Sequence, residues 1–186
     1  MKEKDMNEEN DSDLVRRFKQ GDEKAFNQLV LLYQKKIYDM IYRMIRNHED
    51  AADLSMEVFV RAYKSLINFE ERSSFYVWLT RIAVNLCINF VKREKFRSFL
   101  SIFDIAERPA VINSPADRMH INELNSAIDQ AIQSLPPRQR TTFILKFYQD
   151  LSHQEIAKIM GISEGAAKAN YFQAIQKLQK LLAPYR

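Results

Sequence analysis

Aromatic and basic side chains follow one another between residues 68 and 97, a combination that could hold a single strand of nucleic acid. Five basic residues against one acid stand between Arg81 and Arg97. Aromatic rings stack on unpaired bases while lysine and arginine hold the phosphates. A place in the hydrophobic core is the alternative for Trp78 and Phe75, and for Trp78 taken alone the core is favoured. The polar loop from Asn68 to Ser74, between two apolar segments, is harder to explain in that way and indicates strand capture. The aromatic residues of this cluster are Phe69, Phe75, Tyr76 and Trp78.

The segment after these aromatic residues predicts a helix with one polar face. Asn85, Asn89, Lys92 and Arg93 recur at spacings of three and four residues, which places them on the same side of an α-helix. Amide and cationic side chains that share a face are consistent with a helix that lies along DNA.

Residues 151–178 carry the pattern of a helix-turn-helix. Ser152 and Glu155 form a capping box at the start of a short helix, and the small Ala157 permits close crossing by a second helix. Gly161 then allows a turn, and Ser163 caps the next helix. A purely structural helical hairpin is the alternative, but this spacing favours DNA binding.

The second helix of this motif would present its polar side to the major groove. Lys168 could contact guanine or a phosphate, and Gln173 could pair with adenine. Glu164 could accept a hydrogen bond from cytosine or could complement the helix dipole. The residues away from the apolar stripe are Ser163, Glu164, Lys168, Ala169, Phe172, Gln173, Gln176 and Lys177.

The elements that position these groups all show helical periodicity. Apolar residues recur at three- and four-residue spacing from Asp22 to Ile45, from Ala51 to Leu66, and from Ser74 to the charged run at 92–95. Further helices are expected from Ser114 to Leu135 and after Pro137. No segment alternates with period two, so the sequence predicts an all-α protein of two small helical domains joined by a linker, the second domain being the helix-turn-helix.

Composition restricts the function classes. The chain has 186 residues with only 3 Gly and 1 Cys, which excludes an intramolecular disulfide, a cysteine-rich zinc site and a glycine-rich nucleotide fold. The three histidines are scattered and no catalytic motif is present, so we expect neither an enzyme nor a cofactor. No apolar run is long enough to span a bilayer and no secretory signal is visible, so we expect a cytoplasmic protein without membrane insertion.

Charge divides the chain into four segments. Residues 1–13 contain two lysines against six acids and are expected to be a disordered tail. Residues 14–97 are basic, 98–134 acidic and 135–186 basic, which suggests two separate contacts with a polyanion. The expected divisions are the tail at 1–13, a first domain at 14–97, a linker at 98–114 and a second domain at 115–186. The apolar side chains at 96–105 either pack on a domain or await a partner.

Three motifs in this order resemble bacterial alternative sigma factors of the extracytoplasmic-function (ECF) type. The segments AADLSMEVFVRAY, FEERSSFYVWLTRIAVNLCINFVKR and LPPRQRTTFILKFYQDLSHQEIAKIMGISEGAAK are similar to regions 2 and 4 of that family. The resemblance implies a protein that binds core RNA polymerase through the β′ clamp and β flap and directs it to promoter DNA. It also implies an anti-sigma factor as a partner and no small-molecule substrate. A stand-alone helix-turn-helix regulator with a sensor or dimerisation domain is the alternative.

The resemblance also assigns roles to individual positions. It implies clamp binding by Asp53, Leu54, Glu57, Val58, Phe59 and Tyr63. It implies recognition of the minus-10 element, with capture of a flipped base, by Asn68, Phe69, Ser73, Ser74, Phe75, Trp78, Arg81, Asn85, Asn89, Lys92 and Arg93. Recognition of the minus-35 element falls to Ser163, Glu164, Gly165, Lys168, Ala169, Phe172, Gln173, Gln176 and Lys177. Met56, where the family usually has Gln, Asn89, where Asp is common, and a recognition helix with few cations depart from the family pattern.

Overall fold

The computed structural model of the protein describes residues 3–101 and 119–185. Within these ranges the chain forms α-helices and two short 3-10 turns without any β-strand, which confirms the all-α prediction. The helices are α1 (Glu3–Lys19), α2 (Glu23–Ile45), α3 (His48–Ser65), α4 (Phe75–Ser101), α5 (Met119–Ser134), α6 (Pro137–Phe147), α7 (His153–Met160) and α8 (Glu164–Leu181).

Helices α2, α3 and α4 pack around a predominantly apolar core, whose buried polar residues include Ser55 and Thr80. Asp22 caps α2 by accepting a hydrogen bond from the backbone of Lys24 at 3.1 Å, and Asn47 caps α3 in the same way. Arg17 donates hydrogen bonds to the Asp22 carboxylate and lowers its pKa, which keeps the cap charged. The largest buried side chains of this half include Leu29, Ile37, Met40, Ile41, Leu66 and Leu79.

Helix α1 differs from the expectation of a disordered tail at residues 1–13. The helix begins at Glu3 and includes Asp11, whose side chain is buried. The Asp11 carboxylate accepts a hydrogen bond from the Tyr33 hydroxyl. Leu14 and Val15 on the following turn are also buried against α2 and α4. The high charge of the segment predicted disorder, because composition does not show that one of its acidic residues accepts a hydrogen bond from a buried hydroxyl group.

Helices α5 to α8 form the second half, which includes the helix-turn-helix, and its buried residues join those of the first half in one hydrophobic cluster. Pro137 occupies the first turn of α6, where a missing backbone N–H costs no hydrogen bond. Gly161 ends α7 with a φ of 63°, in the left-handed region that favours glycine. Ser163 accepts a hydrogen bond from the backbone of Ala166 at 3.1 Å and thereby starts α8. Ile144, Leu145, Leu151 and Ile156 are fully buried between these helices.

The capping box of α7 provides a stability prediction. The Ser152 hydroxyl accepts from the backbone of Glu155 at 3.2 Å, and the Glu155 carboxylate accepts from the backbone of Ser152 at 2.6 Å. Ser152→Ala is expected to lower the free energy of unfolding by about 1 kcal/mol because α7 loses its cap. Urea denaturation followed by circular dichroism measures this change. Ser152→Asp retains a capping oxygen, so an equal loss in that variant would show that the cap is not the cause.

The two halves of the chain are in contact through the end of α2. The Arg43 guanidinium lies 3.8 Å from the centre of the Tyr148 ring, and the Arg43 carbonyl accepts a hydrogen bond from Gln133 at 2.9 Å. Arg46 forms an ion pair with Asp129 at 2.7 Å. These contacts join α2 to α5 and to the end of α6.

Helix α4 also packs against the second half. It contacts α7, and the Tyr76 hydroxyl donates a hydrogen bond to Gln149 in the turn between α6 and α7. Burial raises the pKa of Tyr76 to about 12, so this donor keeps its proton. The structure therefore describes a closed arrangement of the two halves.

The predicted linker lies mostly outside the described residues. Helix α4 continues through Ser101, beyond the charged run at 92–95 where the sequence predicted its end, and the Phe96 side chain on it is exposed. The remaining linker residues, and the predicted helix start at Ser114, fall outside the described ranges. No helix within those ranges has the length and hydropathy needed to cross a membrane.

Candidate docking groove and nucleic-acid interface

An apolar groove of about 830 Å³ runs between α2 and α3. Met56 and Val60 lie at its surface with 69% and 42% of their area exposed, although both are apolar. A groove of this shape suits an amphipathic helix, since such grooves bind helices through apolar anchors at successive turns. The residues that line it are Glu23, Phe26, Asn27, Val30, Gln34, Lys35, Tyr38, Ala52, Ser55, Met56, Phe59, Val60, Tyr63 and Lys64.

The residues that the resemblance assigns to clamp binding divide into two groups. Phe59 and Tyr63 line the groove. Asp53 and Glu57 lie on the outer side of α3, and the Glu57 carboxylate accepts a hydrogen bond from Arg61 at 2.7 Å. The remaining two, Leu54 and Val58, are 8% and 0% exposed. They belong to the core and support the groove from beneath, which corrects the expectation of a direct contact.

An aromatic cluster closes one end of the groove. The rings of Phe18, Phe26 and Tyr63 lie with centroids 5.1 to 5.5 Å apart. The Tyr63 hydroxyl donates a hydrogen bond to Glu23 at 3.0 Å, and this carboxylate raises the pKa of Tyr63. The α2 side of the groove was missed from the sequence because its residues follow the same periodicity as core residues.

A second, smaller cavity of about 200 Å³ lies beside the loop between α3 and α4. Its wall combines hydroxyl groups and a carboxylate, which can hydrogen-bond to a base, with the edges of two aromatic side chains, which can make apolar contact with it. Two of its residues, Ser12 and Val15, come from α1 and were not predicted. The full set is Ser12, Val15, Phe69, Glu71, Ser73, Ser74 and Phe75.

The aromatic residues at this cavity are more buried than their predicted role requires. Phe69 and Phe75 are only 6% and 2% exposed, and their rings lie 4.9 and 5.7 Å from that of Trp78. The three rings therefore support the loop from within, which agrees with the core alternative for Phe75 and leaves Phe69 and Phe75 little surface for stacking on bases. Asn68 is exposed, whereas Ser73, Ser74 and Trp78 are half-buried.

The polar face of α4 is exposed from Arg81 to Arg93. Its members lie outside the core, and Lys92 also lines a small cavity together with Pro137 and Arg140 of α6. They form a continuous strip of cations and amides beside the loop. The exposed residues are Arg81, Asn85, Asn89, Lys92 and Arg93.

The predicted recognition face of α8 is also exposed. All of its predicted residues lie on the surface: Ser163, Glu164, Gly165, Lys168, Ala169, Phe172, Gln173, Gln176 and Lys177. The opposite side packs through Ala167, Ala174 and Leu178. The helix is therefore held on its apolar stripe and presents the polar side outward.

Two side chains of this face have protein partners. Lys168 forms an ion pair with Glu164 at 2.7 Å, and the hydrogen bond from Lys168 lowers the pKa of Glu164. The Gln173 amide oxygen accepts a hydrogen bond from Gln139 of α6 at 2.7 Å. These contacts hold both groups at the outer surface of α8.

Two family models match the chain. Residues 29–97 match sigma-70 region 2, and residues 125–178 match sigma-70 region 4. The RNA polymerase sigma-H factor of Pseudomonas aeruginosa is 34% identical over 96% of this chain and 97% of its own length. The ECF RNA polymerase sigma factor SigW of Bacillus subtilis is 33% identical over 90% and 94%, and the ECF sigma-E factor of Escherichia coli K12 is 34% identical over 94% and 95%.

Solved structures share the fold. CnrH, solved in complex with the cytosolic domain of CnrY, aligns with a TM-score of 0.71 at 22% identity over 94% of this chain and 98% of that chain. The sigma factor RpoE of Bartonella quintana, solved in complex with the anti-sigma factor NepR, aligns with a TM-score of 0.72 at 23% identity over 88% and 99%. With both regions matched and relatives above 30% identity over nearly the whole length, the chain belongs to the ECF sigma factors of the sigma-70 family, which direct transcription initiation by RNA polymerase.

Proposed function

We propose that this chain binds core RNA polymerase as an alternative sigma factor and carries it to promoters with a defined minus-10 and minus-35 element. The observation that carries the proposal is the presence, in one chain, of a helix-sized apolar groove and two exposed DNA-directed helix faces. A stand-alone regulator needs only the α8 face. A protein partner would explain the apolar groove, and an unpaired DNA strand would explain the loop cavity.

The groove between α2 and α3 is the proposed site for the β′ clamp. Its exposed apolar residues, Met56 and Val60, would anchor an amphipathic helix of the clamp, with Phe59 and Tyr63 beside them. Asp53 and Glu57 would lie at the rim, where charges affect association rates more than affinity. A second contact with the β flap is expected from the family resemblance.

The loop cavity and α4 are the proposed site for the minus-10 element. A base that leaves the duplex would enter the cavity beside Ser73 and Ser74, where hydrogen bonds and contact with aromatic rings offset the cost of unstacking. The adjoining strip from Arg81 to Arg93 would hold the phosphates of the same strand.

The outer face of α8 is the proposed site for the minus-35 element. Lys168 is one of two cations on it, so its loss should change the salt dependence of promoter binding. With Lys168→Gln, the slope of log affinity against log salt concentration is expected to become shallower by about 0.9, the value of one phosphate contact. Fluorescence anisotropy of the holoenzyme on promoter duplex measures the slope between low and moderate salt.

Lys180→Gln is the matched control for this prediction. Lys180 is exposed on α8 but lies beyond the proposed recognition face. The Lys180→Gln variant should retain the wild-type slope. Equal slopes for Lys168→Gln and the wild type would remove Lys168 from the phosphate contacts.

This function requires the two halves of the chain to separate. The minus-10 and minus-35 elements are about 25 base pairs apart, or roughly 85 Å at 3.4 Å per base pair. A compact chain of this length is about 40 Å across, so the closed arrangement cannot reach both elements. Polymerase would have to replace the contacts of Arg43, Arg46 and Tyr76 with the second half.

An anti-sigma factor is a further proposed partner of the chain. The chain itself is proposed to catalyse no reaction. An anti-sigma factor that binds either DNA-directed face or the groove would keep the chain from polymerase. The single cysteine, Cys87, is buried, and burial raises the pKa of its thiol to about 12, so it does not supply a thiolate nucleophile. The chain is expected to act in the cytoplasm without a cofactor, and the phosphodiester chemistry belongs to the polymerase.

Run-off transcription tests the proposed function. The purified chain is mixed with sigma-free core polymerase and fragmented genomic DNA of the source organism, and the transcripts are sequenced. Defined start sites that depend on the chain are expected, and alignment of their upstream sequences would give both promoter elements. A folded chain that neither binds core polymerase nor yields transcripts, but binds a duplex operator alone, would transfer the assignment to the stand-alone regulator.

A further inference from the structure

Helix α1 forms part of the wall of the loop cavity. Ser12 and Val15 line it from one side, and the other side is formed by Phe69, Glu71, Ser73, Ser74 and Phe75. Ser12 is exposed, whereas Val15 is 1% exposed, so α1 is fixed to the core while its polar side meets the cavity. The cavity therefore depends on where α1 holds the loop.

Lys19 is the direct connection between α1 and the loop. Its ammonium group donates a hydrogen bond to the Phe69 carbonyl at 2.6 Å and to the Glu71 carboxylate at 3.0 Å. The side chain is 26% exposed, and its ammonium lies 5.8 Å from the centre of the Phe69 ring. One ammonium group thus holds the loop through two hydrogen bonds, at Phe69 and at Glu71.

The backbone of the loop needs such a restraint. Glu71 has a φ of 55°, in the left-handed region that non-glycine residues rarely occupy. A strained residue persists only where neighbouring contacts hold it. Lys19 contacts the Phe69 carbonyl just before this bend and the side chain of Glu71 at the bend itself.

We infer that Lys19 is a positioning residue for strand capture, which keeps the loop in the shape that admits an unpaired base, and that Ser12 lies at the entrance of the same cavity. The inference rests on the proposed function, since it concerns the same minus-10 site. If Lys19 were purely structural, its replacement would lower the stability of the fold. If Lys19 positions the loop, its replacement lowers the affinity contributed by the captured base.

The test measures binding of a fluorescent single-stranded oligonucleotide by the holoenzyme. The oligonucleotide carries the nontemplate minus-10 sequence of a promoter identified by run-off transcription. Lys19→Met is expected to weaken binding about tenfold while leaving core polymerase binding unchanged, and Lys19→Arg should restore most of the affinity because it can donate to the same two oxygens. Lys24→Met, which removes an exposed lysine from the nearby start of α2, should behave as the wild type.

Oligonucleotides with one abasic position at a time separate positioning from stability. The abasic site that removes the captured base should abolish the difference between Lys19→Met and the wild type, because both then lack the same contact. A constant difference at every abasic position, or binding by Lys19→Met equal to that by Lys24→Met, would overturn the inference.

A second variant covers the case in which Lys19→Met unfolds. Ser12→Tyr adds a bulky ring at the cavity entrance from an exposed position, so it should weaken oligonucleotide binding without lowering the melting temperature. Gln20→Tyr adds the same ring at an exposed position that does not line the cavity and is its control, and equal binding by the two variants would count against the inference. Failure of the proposed function is recognised separately, since wild-type holoenzyme would then give no start sites.

Discussion

Met56→Glu and Val60→Glu are each expected to weaken binding of the chain to core RNA polymerase by at least about 30-fold. Both side chains lie in the groove between α2 and α3 and are 69% and 42% exposed. A carboxylate there would lose its water when a partner helix covers the groove, and it would remove an apolar anchor. Truncation of a central anchor costs about 2 kcal/mol or more, which corresponds to the 30-fold loss.

Leu31→Glu is the matched control for these variants. Leu31 lies on α2, is 70% exposed, and is not among the residues that line the groove. Glutamate is a good helix former, so all three variants should retain their helical content and melting temperature. Surface plasmon resonance with immobilised core polymerase measures affinity. Loss of binding in Leu31→Glu equal to that in the groove variants would show a general charge effect in place of a groove contact.

Local signals in the sequence predicted most of the helices. Asp22, Ser152 and Ser163 were expected to start helices, and each accepts the hydrogen bond that a cap requires. Gly161 was expected at a turn and has a positive φ. Caps and turns depend on neighbours within about four residues, so the sequence alone is sufficient for them.

Contacts between distant residues could not be predicted in the same way. Lys19 meets Glu71 across 52 positions, and Arg46 meets Asp129 across the gap between the two halves. Each of these side chains looks like an ordinary surface charge in the sequence. Only the packing of α1 and α5 makes them partners.

The resemblance assigned clamp-binding residues from a sequence motif, and such a motif contains both surface residues and core residues. Val58 and Phe59 are neighbours in the sequence, yet Val58 is fully buried and Phe59 lines the groove. Met56 departs from the family pattern and is more exposed than Val60 and Tyr63 in the same groove. The structure thus shows how buried each of these motif residues is, and burial decides which of them a partner can contact.

The double variant Phe172→Ala and Gln173→Ala is expected to lower transcription from a minus-35-dependent promoter by at least about 30-fold. Both residues lie on the outer face of α8, and Phe172 is 62% exposed. An exposed phenylalanine can contact the methyl group of thymine, and glutamine can pair with adenine. A good bidentate pair between a side chain and a base contributes about 1–3 kcal/mol, so a loss of about 2 kcal/mol from the Gln173 pair and the Phe172 contact together gives the stated factor.

Uracil substitution tests the contact of Phe172 directly, because uracil lacks only the methyl group of thymine. On a promoter with uracil in place of the contacted thymine, Phe172→Ala should cause no further loss, whereas Gln173→Ala should still cause its own. Gln179→Ala, an exposed change on α8 beyond the recognition face, should transcribe as the wild type on both templates. If Phe172→Ala loses the same factor on every uracil template as on the thymine promoter, its ring does not read a methyl group. Phe172 would then contribute to α8 in another way, while Gln173 would keep its assignment through its own adenine position.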